Sequence, residues 1–210
     1  MSTIKADAIT ASTGTNTNIA ITGKGSGKVA IGDGTLLFPD ADGSAGTAIV
    51  TNGSGTLSFA ATGKIIQVVR LQTGAYATGT TVSPVDNTIP QNTEGNEFMT
   101  LAITPTASDS ILQVDVIYMG GFNSSHYLTV ALFRDSTAGA LAATLFGLYG
   151  ADKPFTTGFT HGVTAGSTSA TTFKIRAGGG AAGTMRFNGH SAAMFGGVMA
   201  SSITITEISA

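Results

Sequence analysis

The stretch Ile111-Leu112-Gln113-Val114-Asp115-Val116-Ile117-Tyr118-Met119 has the clearest alternation in the chain. From Leu112 to Tyr118 every second residue is large and apolar, and Gln113 and Asp115 lie between them. Successive side chains of a β-strand point to opposite faces, so this pattern predicts a strand with one face in a core and the other outside.

Similar patterns occur on both sides of this stretch. Further strands are predicted at 64–71, 98–104, 128–134, 171–177, 184–188 and 202–208, separated by turn-forming clusters of Gly, Pro, Asn, Asp and Ser. The apolar segment 138–148 could be a helix, but Gly139, Thr144 and Gly147 favour an irregular strand. Seven to nine strands in residues 64–210 predict an all-β sandwich, most simply a jelly roll.

Composition agrees with a β protein and excludes several classes of partner. Charged residues make up 10% of the chain, the net charge is −2, and 29 of 210 residues are Gly. No electrostatic attraction to nucleic acid is built in. The 42% hydrophobic content argues against disorder. The sequence has no run of 18 apolar residues and therefore predicts no membrane insertion.

Residues 1–63 differ from the rest of the chain. Their apolar residues come in bursts of two or three, such as 19–21, 29–31, 36–38, 48–50 and 57–59, separated by Gly-rich turns. Strands this short cannot bury enough apolar surface to fold alone. The segment is therefore either a flexible tail or, as we expect, a shaft in which several copies of the chain intertwine.

No motif in the sequence predicts catalysis or a cofactor. The run 178–183 matches G-x-G-x-x-G, but it lies between two predicted strands, and a dinucleotide site needs a helix after it, so we interpret it as a hairpin loop. His126, His161 and His190 have no metal-ligand spacing, and Cys is absent. We expect a protein that is not an enzyme and binds no cofactor or metal.

Three longer stretches resemble the C-terminal head domain of phage tail fibre and head fibre-like proteins. They are Asn87-Thr88-Ile89-Pro90-Gln91-Asn92-Thr93-Glu94-Gly95-Asn96-Glu97-Phe98-Met99, which continues through 101–105, Leu128-Thr129-Val130-Ala131-Leu132-Phe133-Arg134-Asp135, and 195–208. Segments 30–33 and 51–59 resemble the shaft-to-head region of the same proteins. The resemblance implies a homotrimer with a β-structured stalk in residues 1–63 and a jelly-roll-like head in residues 64–210.

The resemblance also sets expectations about function and location. A virion fibre is expected on the outside of a phage particle, made in the host cytoplasm, since 1–5 lacks the apolar start of a signal peptide. Its N-terminal segment would bind other virion proteins, and its head would attach to a host surface glycan or protein. The alternative is a capsid decoration, cement or head-fibre protein, because the chain starts directly with the shaft-like segment.

Four residues are the candidates for receptor contact in the head. Tyr76, Asn123, His126 and Tyr127 are neutral polar or aromatic residues in predicted loops. Such side chains suit sugar binding, and loops at the end of a sandwich are where binding residues concentrate.

Overall fold

A computed structural model describes residues 30–31, 36–39, 47–54, 56–61 and 64–210. The contacts within the chain divide it into two units, Met1–Gly63 and Lys64–Ala210. The apolar burst predicted at 19–21 lies outside the described residues.

Short antiparallel hairpins form the described part of the first unit. Strand β1 (Ala30–Ile31) pairs with β2 (Leu36–Leu37), and β3 (Thr47–Thr51) pairs with β4 (Leu57–Ala61). The turn between β3 and β4 is held by Asn52, whose Oδ1 accepts hydrogen bonds from the backbone of Ser54 at 2.8 Å and Thr56 at 3.1 Å. These strands pair within one chain, and the intertwining of several copies stays a prediction.

Ten strands and one short 3₁₀ turn, Phe195–Gly197, make up the second unit, which we call the head. The strands are β5 (Ile65–Thr73), β6 (Ala77–Gly79), β7 (Asn96–Ile103), β8 (Ile111–Phe122), β9 (Tyr127–Arg134), β10 (Ala142–Gly147), β11 (Lys153–Thr164), β12 (Thr171–Gly179), β13 (Met185–Phe187) and β14 (Ser201–Ile208).

The strands of the head pair as nested antiparallel partners. β9 pairs with β10, β8 with β11, β7 with β12, β6 with β13, and β5 with β14. The head is thus one long hairpin whose two arms run side by side from the β9–β10 turn outward. Rolled up, this hairpin gives two packed sheets, which is the jelly-roll arrangement.

The rolled hairpin forms a four-stranded and a six-stranded sheet. The first has the order β10-β9-β12-β7. In the second, β8 pairs with β11 along one edge, and along the other with β14 and then β13, which are bordered by β5 and β6. The predicted all-β sandwich with a jelly-roll-like topology is confirmed.

The core lies between the two sheets and uses the predicted faces. Leu112, Val114 and Tyr118 of β8 are each fully buried, whereas Ile117 between them is 46% exposed. The alternation of the other predicted strands agrees with the structure, in which Met99, Ile103, Phe173, Ile175, Ile203 and Ile205 are buried and Leu101 is half-buried. Strand alternation therefore identified the interior correctly.

Aromatic side chains join the two sheets across this core. The ring of Tyr118 lies 5.8 Å from that of Phe98 and 5.8 Å from that of Phe155, centroid to centroid. Phe155 in turn stacks on Phe146 at 4.9 Å. Because Phe98 and Phe146 belong to the outermost strands of the four-stranded sheet, the rings tie both of its edges to the second sheet.

Two strands were missed by the sequence prediction, which expected seven to nine. β11 is as long as β8, and it alternates half-buried or buried Phe155, Phe159 and Val163 with exposed residues. Its Thr and Gly content obscured the pattern. β6 has three residues, too few for a period to show.

The interpretation of 178–183 as a hairpin loop is wrong in one respect. β12 and β13 belong to different sheets, so this run crosses between them. Two of its four glycines, Gly179 and Gly183, are required by the ring of Phe122, which is 1% exposed. A Cβ atom at Gly179 would lie 2.3 Å from Phe122 Cζ, and one at Gly183 would lie 2.4 Å from it.

A buried carboxylate closes the end of the head where β5 begins. Glu207 is fully buried, and its oxygens accept hydrogen bonds from the Thr106 backbone and hydroxyl, each at 2.8 Å, and from Gln67 Nε2 at 2.6 Å. Burial alone would raise the pKa of Glu207, but the hydrogen bonds from Gln67 and Thr106 outweigh it and lower this pKa to about 2.

Substituting Gly179 with Ala should destabilise the head. The new methyl group would overlap the enclosed Phe122 ring, and overpacking of this kind costs about 1–3 kcal/mol. Gly162→Ala is the matched control, because the nearest atom to its Cβ would be Ile111 Cγ2 at 3.8 Å. Urea unfolding should show a lower midpoint for Gly179→Ala only; equal midpoints would refute the packing argument.

Glu207 should make stability depend on acid pH. Its folded-state pKa is about 2, below the ordinary value of 4.5, so its contribution is complete above pH 4.5 and is lost as pH falls toward 2. Glu207→Gln should lower the free energy of unfolding by roughly 2 kcal/mol at neutral pH, because the carboxylate's charge-assisted hydrogen bonds are replaced by weaker ones. The loss should be smaller at pH 3.

The control for this measurement is Glu97→Gln. Glu97 forms a surface ion pair with Arg176 at 3.7 Å, which is worth about 1 kcal/mol or less. Urea titrations at pH 7 and pH 3 compare the variants. The difference in free energy of unfolding between wild type and Glu207→Gln should be smaller at pH 3 than at pH 7. A difference that does not shrink would contradict the lowered pKa of Glu207.

Candidate functional site

Three loops meet at the end of the head far from Lys64. Residues 123–126, 148–152 and 180–184 follow β8, β10 and β12 respectively. β8 runs from Ile111, beside Ile208, to Phe122, beside Lys153 and Met185. Twelve strand residues span about 40 Å. A chain held at residue 64 therefore presents these loops at its far end.

Backbone hydrogen bonds fix the three loops to one another. Leu148 N donates to His126 O at 2.9 Å, and Asp152 N donates to Phe122 O at 2.8 Å. The Asp152 carboxylate also forms an ion pair with Arg186, which is largely buried. The backbone of the loop 148–152, which carries Tyr149, is thus anchored at both ends without a ligand.

A cleft of about 170 Å³ opens between the first two loops. Ser125, His126, Tyr127, Gly147, Leu148 and Tyr149 line it. Tyr127 is 54% exposed and Tyr149 is 84% exposed. A Cβ atom at Gly147 would lie 3.4 Å from Tyr127 Cε1 and 3.6 Å from Tyr149 Cε2, so both rings lie close to this glycine. We call this the tyrosine cleft.

Three of the four predicted contact residues lie together near the tyrosine cleft. His126 and Tyr127 line it, and the exposed His126 ring makes an edge contact with Phe122 at 6.2 Å. Asn123 has a structural contact instead: its Oδ1 accepts a hydrogen bond from Thr184 N at 2.8 Å, joining two loops.

Tyr76 is placed elsewhere. It precedes β6, and its ring packs against Gly189, where a Cβ atom would lie 2.7 Å from Tyr76 Cδ2. It lines neither the tyrosine cleft nor the second cleft described next.

Sequence reasoning missed Tyr149, the most exposed aromatic residue of the cleft. Tyr149 stands in the short sequence Leu148-Tyr149-Gly150, and Gly150 has a positive φ of 115°. An aromatic residue next to a turn glycine was a detectable pattern. Its nearness to Tyr127 depends on the pairing of Gly147 with Tyr127 across β9 and β10, which no local pattern predicts.

A segment of residues 80–95, which we call the strap, lies over the outside of the four-stranded sheet. Ser83 N donates to Gly179 O at 2.9 Å at one end, and Asn92 N donates to Ala138 O at 2.7 Å at the other. Arg176 holds it from below, donating to Glu94 O at 2.9 Å and Gly95 O at 2.7 Å. The strap covers β9, which is buried on both faces.

A second cleft, of about 220 Å³, separates the strap from β10. Its lining residues are Pro84, Val85, Asp86, Thr88, Pro90, Thr129, Ala143, Thr144 and Leu145. Asp86 braces this part of the strap, because its Oδ1 accepts hydrogen bonds from Thr88 N at 2.8 Å and Thr88 Oγ1 at 2.6 Å. These bonds lower the pKa of Asp86 below its ordinary value. We call this the strap cleft.

Neither a metal cluster nor a membrane helix is found in the described part of the chain. No group of three or more His, Asp or Glu side chains there could hold a metal ion. No helix there is long and apolar enough to cross a membrane.

Comparison with known proteins yields no family. No protein-family model matches the chain, and no curated protein matches it.

Solved structures of similar fold exist at low similarity. One described as "CBM4 structure and function" is 14% identical, with a TM-score of 0.35, and the match covers 60% of this chain and 74% of that one. The infectious bursal disease virus Gx strain structure is 12% identical, with a TM-score of 0.36 and coverages of 78% and 41%.

A third similar structure is the enzymatically active domain of bacteriophage CBA120 tailspike protein 4. It is 16% identical, with a TM-score of 0.25, and the match covers 59% of this chain and 19% of that one. All three likenesses concern the arrangement of strands and carry no conclusion about ligand, activity or location.

Proposed function

We propose that this protein is a non-catalytic fibre on the outside of a phage particle and that its head attaches the particle to the host surface. The tyrosine cleft carries this proposal. Two exposed tyrosine rings at a cleft of braced loops form a surface that a ligand can cover without reordering the protein. The resemblance of 87–99, 128–135 and 195–208 to fibre head domains supports the virion location.

The position of the cleft within the head fits an attachment role. Lys64, where the head begins, lies beside the C-terminal end of the chain, since Ser209 N donates to Lys64 O at 2.7 Å. The tyrosine cleft is at the other end of β8. In this proposal residues 1–63 bind other virion proteins, and the head extends outward from residue 64.

We further propose that the head is a homotrimer that uses the outer face of the six-stranded sheet. Four apolar side chains point outward there: Ile65 and Val68 of β5 are 62% and 55% exposed, and Ile111 and Ile117 of β8 are 37% and 46% exposed. Large apolar residues grouped on one sheet face are typical of a surface that another chain covers.

The attachment proposal predicts competition. Purified full-length protein, added to host cells before the phage, should block adsorption of the particle. Tyr149→Ala should need about fivefold more protein for the same block, because one stacking contact of roughly 1 kcal/mol is lost. Phe195→Ala is the control, since Phe195 is 73% exposed and lines neither cleft. Wild-type protein that never competes would exclude an attachment role.

Antibody labelling of intact particles tests the virion location in the same system. Label on the tail or its fibres supports the fibre proposal. Label confined to the capsid supports the decoration or cement alternative, and particles without label contradict both.

The trimer proposal predicts a solution mass of three times the 21.0 kDa of one chain. Light scattering measures this mass directly. Val68→Lys combined with Ile117→Lys should reduce it to one chain, because unpaired charges would be buried at the contact. Leu145→Lys, an equally exposed apolar residue on the other sheet, should leave the mass unchanged. A single-chain mass for the wild type would refute the proposal.

A further inference from the structure

The two clefts are neighbours on one face of the head. Gly147 pairs with Tyr127, and Leu145 pairs with Thr129. The first pair contributes to the tyrosine cleft, and the second contributes to the strap cleft. Residues two apart on a strand face the same side, about 7 Å from each other. The clefts therefore follow one another along β9 and β10, because the pair between them, Phe146 with Leu128, faces the core.

Gly180 lies between residues of the two clefts. Gly180 N donates to Tyr127 O at 2.9 Å. A Cβ atom at Gly180 would lie 3.0 Å from Val85 Cγ2 and 3.4 Å from Tyr127 O. Val85 of the strap cleft and the backbone of Tyr127 of the tyrosine cleft therefore border the same glycine.

The chemistry along this path is apolar surface interrupted by hydroxyl groups. Leu145 is 54% exposed and Val85 is 43% exposed, adding apolar surface beyond the two tyrosine rings. Three threonines, Thr88, Thr129 and Thr144, are among the residues that line the strap cleft. Sugar rings present the same combination, with an apolar face of C–H groups and a rim of hydroxyls.

The charged residues that line the two clefts disfavour binding of anionic ligands. Among the described residues that line the two clefts, none is Lys or Arg, and Asp86 supplies a carboxylate. A uronic acid or a sulfated sugar would find no cation to pair with there and would approach a like charge.

We propose that the tyrosine and strap clefts are adjacent subsites of one groove that binds a linear, neutral oligosaccharide of at least two sugar rings. One ring lies against Tyr127 and Tyr149, and the next lies between Leu145 and Val85. This inference rests on the proposed attachment function and names the class of its ligand.

The number of sugar units in the ligand is the variable that tests the groove. The probes are glucose and N-acetylglucosamine with their β-1,4-linked oligomers, and maltose with its α-1,4-linked oligomers, up to four units. Calorimetric titration of the full-length protein should show affinity rising about tenfold or more from one unit to three in at least one series, then levelling, because a second subsite adds contacts without a second loss of translational freedom. Affinity independent of length would overturn the two-subsite groove.

Variants of the protein test whether the rise in affinity with oligosaccharide length comes from the second subsite. In Leu145→Lys the ratio of trisaccharide to monosaccharide affinity should fall toward one. Tyr149→Ala should weaken binding of every length, and Phe195→Ala should leave all affinities as in the wild type. A trisaccharide-to-monosaccharide ratio that survives Leu145→Lys would overturn the placement of the second ring.

Two further outcomes separate this inference from the attachment proposal. Tri-galacturonic acid, an anionic probe, should bind about tenfold more weakly than the best neutral trisaccharide, and equal binding would overturn the neutral class. Protein that blocks phage adsorption but binds no oligosaccharide of these series, and whose block is lost when cells are treated with protease, would overturn the sugar ligand while the attachment function stands.

Discussion

The nested pairing of strands is the constraint on which the head depends. β9 with β10 is a local hairpin, but β5 and β14 join residues 65 and 208, the two ends of the unit. Each outer pair joins residues further apart in sequence, so the entropy cost of forming it is smaller once the pairs inside it have formed. A slip of one residue would turn Leu112 and Val114 outward and Gln113 inward, so the buried face of β8 holds the whole register.

The same nesting creates the candidate site. Because the hairpin arms run side by side, the loops after β8, β10 and β12 arrive at one end of the sandwich, where Phe122 packs beneath Gly179 and Gly183. Asp152 then fastens the loop that carries Tyr149. The exposed rings rest on a rigid frame, which suits recognition without rearrangement.

The sequence predicted the fold well where side chains alternate in size. Ile111–Tyr118 and 202–208 were recognisable because buried Leu, Val and Ile contrast with polar neighbours. β11 was not predicted, because Thr and Gly occupy its exposed positions and make the alternation hard to recognise. The predicted site contained His126 and Tyr127, since both lie in the loop predicted before the strand at 128–134. Tyr149 and the strap could not be placed, because their neighbours come from pairings distant in sequence.

The placement of Lys64 has a mechanical consequence. β5 begins there and lies antiparallel to β14, which in turn borders β8, the strand that leads to the tyrosine cleft. A pull between residue 64 and a ligand in that cleft runs along these strands. The ladder hydrogen bonds between them are then loaded together in shear, and they do not open one after another as in a zipper. In the proposed attachment role, this is the direction of the load on the head.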